Sequence, residues 1–244
     1  MRAATKASEA VAAKEGASAF LPRLRFADGT LEALKWLAIA LMTVDHVNKY
    51  VFHEASTVAF DFGRVAMPLF AFIMAYNFSR PGALERGSYQ RSIRRLAIFG
   101  AVAVPVCMAL GGLLYGFWPL NILFMLLTAA SVMLLLERGN KSMAFLVFLT
   151  GGFMVEFWWP AVGFTLACWY YCKRPSWLAL GIAVFCLAAL APINNNFWAL
   201  AALPIIFASA KLDITLPRSN WLFFYAYYPA HLSMIWLVRH FLTV

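Results

Sequence analysis

Long apolar stretches fill most of the chain, and the short polar segments between them carry most of the charged residues. A helix that crosses a bilayer needs about 20 mainly apolar residues, and only helices or closed barrels satisfy their backbone groups inside lipid. The pattern therefore predicts an all-α, polytopic membrane protein built as a bundle of about nine transmembrane helices.

The predicted spans follow this alternation of apolar and polar segments along the chain. They lie at about 32–52, 62–78, a third stretch that ends near 115, 119–136, 143–157, 159–172, 177–191, 197–210, and from 221 to the C-terminus. The segments 143–157 and 159–172 are near or below the usual spanning length of about 17 to 25 residues. We expect these two segments to be tilted, broken or re-entrant.

The composition is too apolar for an ordinary soluble domain. Hydrophobic residues make up 63% of the chain, charged residues 13%, and the mean hydropathy is +0.73. A formal net charge of +9 would suit a nucleic-acid partner only if the basic residues shared one soluble face. Here they occupy short loops between apolar stretches, which excludes nucleic acid as the predicted partner and leaves membrane lipids.

The distribution of lysine and arginine among these loops predicts the topology. If the N-terminus is cytoplasmic, nearly every basic loop falls on the cytoplasmic side, including the dense loop after the second span. The C-terminus is then on the outer side. We predict residues 1–29 to be a flexible cytoplasmic arm and residues 30–244 to be a single transmembrane domain.

One predicted span carries charges where a span normally carries none. Residues 34–52 contain Lys35, Lys49 and the adjacent pair Asp45 and His46. Charged groups inside a membrane are costly and usually line cavities or pathways. Lys35 and His46 are eleven residues apart, so they share a helix face about 16 Å apart along the axis. The alternative is a polar clamp between helices, in which Asp45 pairs with Lys49 one turn on.

Other polar residues are predicted to lie at the same depth as His46. Arg64, Asn121 and Glu156 stand at the ends of three different spans, where each can also be a helix cap or an interfacial anchor. His231 lies in the middle of the last span, one turn after Tyr227. Arg64, Asn121 and Glu156 are expected to form, with His46, one polar cavity towards the outer side, whereas His231 is placed at mid-membrane depth.

The four cysteines add no strong signal. Cys168 and Cys172 are one helical turn apart, a spacing that suits a metal or a disulfide, but no histidine or carboxylate accompanies them. Small buried hydrophobic residues are the preferred interpretation, and no metal is predicted.

Four segments together resemble a known family. They are LKWLAIALMTVDHV (34–47), GRVAMPLFAFIMAYNFSR (63–80), NILF (121–124) and YAYYPAHL (225–232). In this order they resemble the TraX family of conjugal-transfer proteins, including its TrbP-type members. The spacing of Lys35 and His46 also resembles, more distantly, the acyltransferase-3 superfamily, where an arginine usually stands in place of Lys35.

The resemblance implies an activity and a set of partners. TraX-type proteins acetylate the N-terminal amine of the pilin of a conjugative pilus, in the inner membrane of Gram-negative bacteria. It therefore implies acetyl-CoA as acyl donor, a pilin subunit as partner, the type IV secretion machinery as a further partner, and a role in plasmid conjugation. The alternatives are another acyl acceptor, head-to-tail cyclisation of the pilin, or a non-enzymatic pilin chaperone.

The implied chemistry assigns roles to the polar residues. His46 is expected to be the general base and Asp45 its orienting group, while Arg64 or Asn121 stabilises the oxyanion. Further catalytic candidates are His231 and Glu156, and further substrate-binding candidates are Lys35 and Tyr227. The phosphates of CoA are expected to bind three arginines of the basic loop, namely Arg91, Arg94 and Arg95.

Overall fold

The computed structural model describes residues 21–111 and 116–242. Within these residues the chain forms ten α-helices and one short 3₁₀ helix, and the only pairing of extended backbone is an isolated bridge between Leu120 and Val155. The predicted all-α class is therefore confirmed for this part of the chain.

The helices follow one another with short connections. They are α1 (Asp28–Tyr50), α2 (Thr57–Ser79), α3 (Ser88–Ala109), α4 (Ile122–Glu137), α5 (Lys141–Met154), α6 (Trp158–Lys173), α7 (Trp177–Ala188), α8 (Ala191–Asn194), the 3₁₀ helix Trp198–Ala201, α9 (Ala202–Ser209) and α10 (Trp221–Leu242).

Within the part of the chain that the structure describes, three helical segments are long and apolar enough to cross a membrane. They are α2, α3 and the segment Trp177–Asn194, which joins α7 and α8. Three shorter apolar segments accompany them: α4, α5 and Trp198–Ser209. These features support a membrane protein, while the count of about nine spans and the direction of insertion stay predictions.

The helices predicted to be irregular are short in the structure. α5 has 14 residues and α6 has 16, and the chain breaks between them where Phe157 and Trp158 adopt positive φ values of 60° and 48°. The predicted span 197–210 is divided into a 3₁₀ turn and α9. The predicted end of the third span near 115 lies outside the described residues, and α3 ends at Ala109.

The centre of the bundle is formed by α2. Its residues Leu69, Ala71, Phe72 and Ala75 are at most 1% exposed, and the helix packs most extensively against α1 and α6. α10 packs against α3 and α1. Burial of an apolar helix all round is typical of a helix in the middle of a bundle. This packing brings the polar half of α1 between α2 and α10.

Part of the predicted N-terminal arm is packed against the bundle. Leu21 and Phe26 are each 7% exposed, the N–H of Phe26 donates to the hydroxyl of Tyr76, and the hydroxyl of Tyr171 donates to the carbonyl of Pro22. Residues 1–20 of the predicted arm lie outside the described residues.

Candidate functional site

α1 presents one face to two neighbouring cavities. Lys35, Ile39, Met42 and His46 recur at spacings of four, three and four residues, so they lie on one side of the helix. Lys35, Ile39 and Met42 line the larger cavity, and Met42 and His46 line the smaller one. The predicted shared face of Lys35 and His46 is therefore present, and each end of it faces a different cavity.

His46 forms a hydrogen bond with His231 of α10. Its Nδ1 lies 2.7 Å from Nε2 of His231, the two ring planes differ by 4°, and the ring centroids are 5.0 Å apart. Because the two nitrogens are much closer than the two ring centres, the rings meet edge to edge. His231 is 8% exposed, and its Nδ1 lies 2.8 Å from the carbonyl oxygen of Tyr227.

Asp45 forms an ion pair with Arg64 of α2, at 2.5 Å between Oδ2 and Nη2. The sequence interpretation placed this carboxylate beside His46 as its orienting group, or beside Lys49. The structure corrects both placements, because the packing of α2 on α1 brings a guanidinium directly against Asp45. The other oxygen, Oδ1, is buried and has no hydrogen-bond partner in the described part of the chain.

A glycine makes room for this ion pair. A Cβ atom at Gly63, one residue before Arg64, would lie 2.3 Å from Cγ of Asp45. No real side chain approaches so closely, so the side chain of Asp45 packs directly against the backbone of α2 at Gly63. The close approach of the two helices thus depends on the missing side chain of Gly63.

The smaller cavity has a volume of about 110 Å³ and contains most of the polar residues predicted to lie near the outer side. Its charged, imidazole and amide side chains are Asp45, His46, Lys49, Arg64, Glu156 and Asn194, and the tyrosines Tyr50 and Tyr228 also line it. Glu156 reaches this cavity because the bridge between Leu120 and Val155 holds the break between α5 and α6 against the start of α4. The charged, imidazole and amide side chains of this cavity therefore come from four parts of the chain.

The larger cavity has a volume of about 630 Å³ and is strongly basic at one end. Its cationic lining consists of Lys35, Arg80, Arg86, Arg91, Arg95 and Arg218. This volume falls within the range of about 300–1,000 Å³ typical of small-molecule sites. Of the three arginines predicted to bind CoA phosphates, Arg91 and Arg95 line the cavity, whereas Arg94 does not and is exposed.

The two cavities adjoin. Four side chains line both of them: Met42, Phe70, Ile122 and Tyr228. Tyr227 lines the larger cavity, and its hydroxyl lies 2.7 Å from the hydroxyl of Thr43 on α1. The same turn of α10 therefore borders the larger cavity and, through His231, contacts the histidine that lines the smaller one.

Lys35 is held at the rim of the larger cavity. Its Nζ lies 2.7 Å from Oε2 of Glu32 and 4.8 Å from the ring centroid of Phe224. Glu32 is 2% exposed and also accepts a hydrogen bond from the N–H of Ser219. This contact ties the loop that carries Arg218 to the first turns of α1, so Lys35 has both a structural partner and a place in the cavity wall.

Asn121 is a structural residue in this fold. It is fully buried, its amide donates to the carbonyl of Gly100, and its Oδ1 accepts from the N–H of Leu123. It is therefore the N-cap of α4, the alternative that the sequence left open. Because Asn121 lines neither cavity, the structure corrects its expected place beside a reacting group.

The cysteines are all free thiols. Three of them are buried, and Cys172 is partly buried. In residues 21–111 and 116–242 no group of three or more histidine, cysteine, aspartate or glutamate side chains is arranged to hold a metal ion. The disulfide alternative for Cys168 and Cys172 is thus wrong, and these side chains pack as small apolar groups.

Sequence reasoning missed several residues of the site. Arg80, Arg86 and Arg218 were explained by topology alone, although a basic residue that ends or follows a span can also face the interior of the bundle. Asn194 and Tyr228 carried no local signal.

Comparison with known proteins assigns the family. The sequence matches the TraX protein family over residues 30–239. An uncharacterized protein of Rickettsia prowazekii (strain Madrid E) is 35% identical over 71 residues, which is 29% of this chain and 24% of that protein. The aligned part thus spans about a quarter of the length of this curated relative. No solved structure matches. Because the family match extends over both cavities and most of the chain, this chain belongs to the TraX family.

Proposed function

We propose that this chain is a membrane-bound N-acetyltransferase, which transfers an acetyl group from acetyl-CoA to the N-terminal amine of a conjugative pilin. One observation carries the proposal: a basic cavity large enough for a nucleotide-bearing ligand adjoins a small cavity lined by His46. This arrangement suits a donor with an anionic head and a reactive end that must reach a proton acceptor. Family membership supports the same acceptor.

The basic cavity suits the head of acetyl-CoA. CoA carries three phosphate groups, and guanidinium groups bind phosphates through charge-assisted hydrogen bonds. Arg91 and Arg95 are one turn apart on α3 and face the same cavity as Arg218. With the head held there, the pantetheine arm would extend towards Met42 and Tyr228, which separate the two cavities.

The chemistry at His46 is a single acyl transfer. The pilin amine, in its neutral form, attacks the thioester carbonyl and gives one proton to His46 as the new C–N bond forms. The C–S bond then breaks, and the imidazolium returns that proton to the departing sulfur. The products are the N-acetylated pilin and CoA with a free thiol, so no other reactant is needed.

Arg64 is the group best placed to stabilise the oxyanion. It lines the same cavity as His46. Its Nε donates to the carbonyl of Phe60, its Nη2 to Asp45 and its Nη1 to Asn194, which uses three of the five N–H donors of the guanidinium. A fixed cation beside a developing negative charge lowers the barrier most when it is already oriented in the ground state. In this mechanism Asp45 acts on Arg64 rather than on His46.

The decisive measurement is the intact mass of the pilin that accompanies this protein, made with and without it. Acetylation adds the mass of an acetyl group, head-to-tail cyclisation removes a water, and a chaperone leaves the mass unchanged. The purified protein, incubated with acetyl-CoA and a peptide of the pilin N-terminus, should release CoA and acetylate the peptide. A pilin of unchanged or cyclised mass would contradict the proposal.

His46→Ala should lower the rate of acetyl transfer by roughly 10²- to 10⁴-fold, because a general base contributes about that factor. The matched control is His240→Ala, which removes an exposed histidine from the end of α10. Both proteins are compared in detergent at equal folded concentration. Transfer at the normal rate by folded His46→Ala protein would refute this role.

A further inference from the structure

The hydrogen bonds around His231 determine its protonation. Its Nδ1 faces the carbonyl oxygen of Tyr227 at 2.8 Å. A carbonyl oxygen can only accept, so the proton of a neutral His231 lies on Nδ1. Its Nε2 then has a lone pair and faces Nδ1 of His46 at 2.7 Å.

The same reasoning determines the protonation of His46. Because Nε2 of His231 is an acceptor, Nδ1 of His46 must be the donor, and the proton of neutral His46 lies on Nδ1. The lone pair of His46 is then on Nε2. Within the described residues no side chain or backbone group forms a hydrogen bond with this Nε2, and His46 lines the smaller cavity.

We propose that His231 is the positioning residue of His46: the chain from the Tyr227 carbonyl through His231 holds His46 in the Nδ1–H form and leaves Nε2 as the atom that accepts a proton. This role is the one that a carboxylate has in a serine–histidine–aspartate triad. Here the carboxylate is replaced by a second imidazole, which is held by its hydrogen bond to the backbone carbonyl of Tyr227. The assignment of Nε2 as the base in acetyl transfer rests on the proposed function, but the protonation pattern does not.

Asp45 does not have this role in the structure. Its Oδ2 is paired with Arg64. Adjacent residues on a helix point about 100° apart around the axis, so the side chain of Asp45 points away from that of His46. Tyr227 helps to hold the ring of His231 in place. Its ring lies against that of His231 with ring planes 13° apart, and its hydroxyl is hydrogen bonded to Thr43 of α1. The position of the His231 ring is thus determined from both helices.

The inference is tested first without any activity measurement. The ¹⁵N chemical shifts of the imidazole rings are recorded in protein labelled with ¹⁵N-histidine, and His46 is assigned by the loss of its signals in His46→Ala. The wild type should show a protonated Nδ1 and an unprotonated Nε2 at His46. The opposite pattern, a protonated Nε2 at His46, would overturn the proposal whatever the enzyme does.

Two substitutions of His231 separate positioning from packing. His231→Gln keeps an oxygen acceptor for the Nδ1–H of His46, whereas His231→Leu has a similar size and no acceptor. We expect the Nδ1–H form in His231→Gln and in the control Asp45→Asn, and a shift to the Nε2–H form in His231→Leu. An unchanged pattern in folded His231→Leu, or a shift in Asp45→Asn alone, would overturn the proposal.

Kinetics give a second, separate readout. His231→Leu should lower kcat by on the order of 10²- to 10⁴-fold with little change in KM for acetyl-CoA, as expected when a base is held in the wrong tautomer. His231→Gln should regain at least about tenfold of this loss. If the shifts follow the prediction but no acetyl group is transferred, the proposed function fails and the positioning of His46 stands.

Discussion

Nη2 of Arg64 lies 2.5 Å from Oδ2 of Asp45, so a guanidinium of α2 and a carboxylate of α1 form an ion pair inside the bundle. The two side chains are 14% and 10% exposed. Removing one partner of such a pair leaves an uncompensated charge, which is far more costly than removing both. This contact therefore couples the packing of α1 and α2 to the smaller cavity.

Arg64→Leu is expected to lower the free energy of unfolding by about 3–5 kcal/mol, since it leaves Asp45 buried without a counter-ion. The double substitution Asp45→Leu with Arg64→Leu should recover part of this loss. Unfolding by denaturant in detergent micelles measures both. The control is Arg80→Leu, whose partner Asp28 is 75% exposed and whose loss should cost at most about 1 kcal/mol. Equal losses at the two sites would contradict the prediction.

Gly63→Ala is expected to disturb the same ion pair by crowding. The new Cβ would lie 2.3 Å from Cγ of Asp45, and overpacking of this kind costs about 1–3 kcal/mol. The matched control is Gly181→Ala on α7, where a Cβ meets nothing within 4 Å. There alanine should be neutral or stabilising, since it is the better helix former. The midpoint of thermal unfolding in detergent compares the two variants, and a neutral Gly63→Ala would refute the crowding.

Replacing both Arg91 and Arg95 with glutamine should raise KM for acetyl-CoA by about tenfold or more. Each lost charge-assisted hydrogen bond is worth about 1.5–3 kcal/mol, and about 1.4 kcal/mol corresponds to tenfold. KM for S-acetylpantetheine, which lacks the phosphates, should stay the same. Arg94→Gln, on the exposed side of α3, is the control and should change neither value. An equal effect on both donors would place the nucleotide elsewhere.

Asn121→Ala should lower stability by about 1–3 kcal/mol, because the carbonyl of Gly100 loses its buried donor and α4 loses its cap. In protein that remains folded, kcat should fall by less than tenfold. Asn140→Ala, which removes the exposed cap of α5, is the control for loss of a cap alone. A selective loss of kcat at full stability would instead assign Asn121 to the oxyanion.

The basic loop illustrates how far sequence patterns reach. The positive residues after α2 were predicted to lie on the same side as Lys35, because spans alternate in direction. In the structure Arg80, Arg86, Arg91 and Arg95 line one cavity with Lys35. Arg91 and Arg95 face this cavity while Arg94 is exposed, and this depends on the rotation of α3 about its axis. Packing of α3 against α4 and α10 decides that rotation.

The sequence by itself determined the helical class, the membrane character and the face of α1 that carries Lys35 and His46, because composition and helical periodicity are local properties. Only the tertiary structure decided the partners: His231 for His46, Arg64 rather than Lys49 for Asp45, and a backbone carbonyl for Asn121. The partner of His46 is 185 residues away in sequence, whereas the partners of Asp45 and Asn121 lie on the adjacent helices α2 and α3. Such pairings depend on how helices rotate and approach one another, which close packing decides and the spacing along a single helix does not.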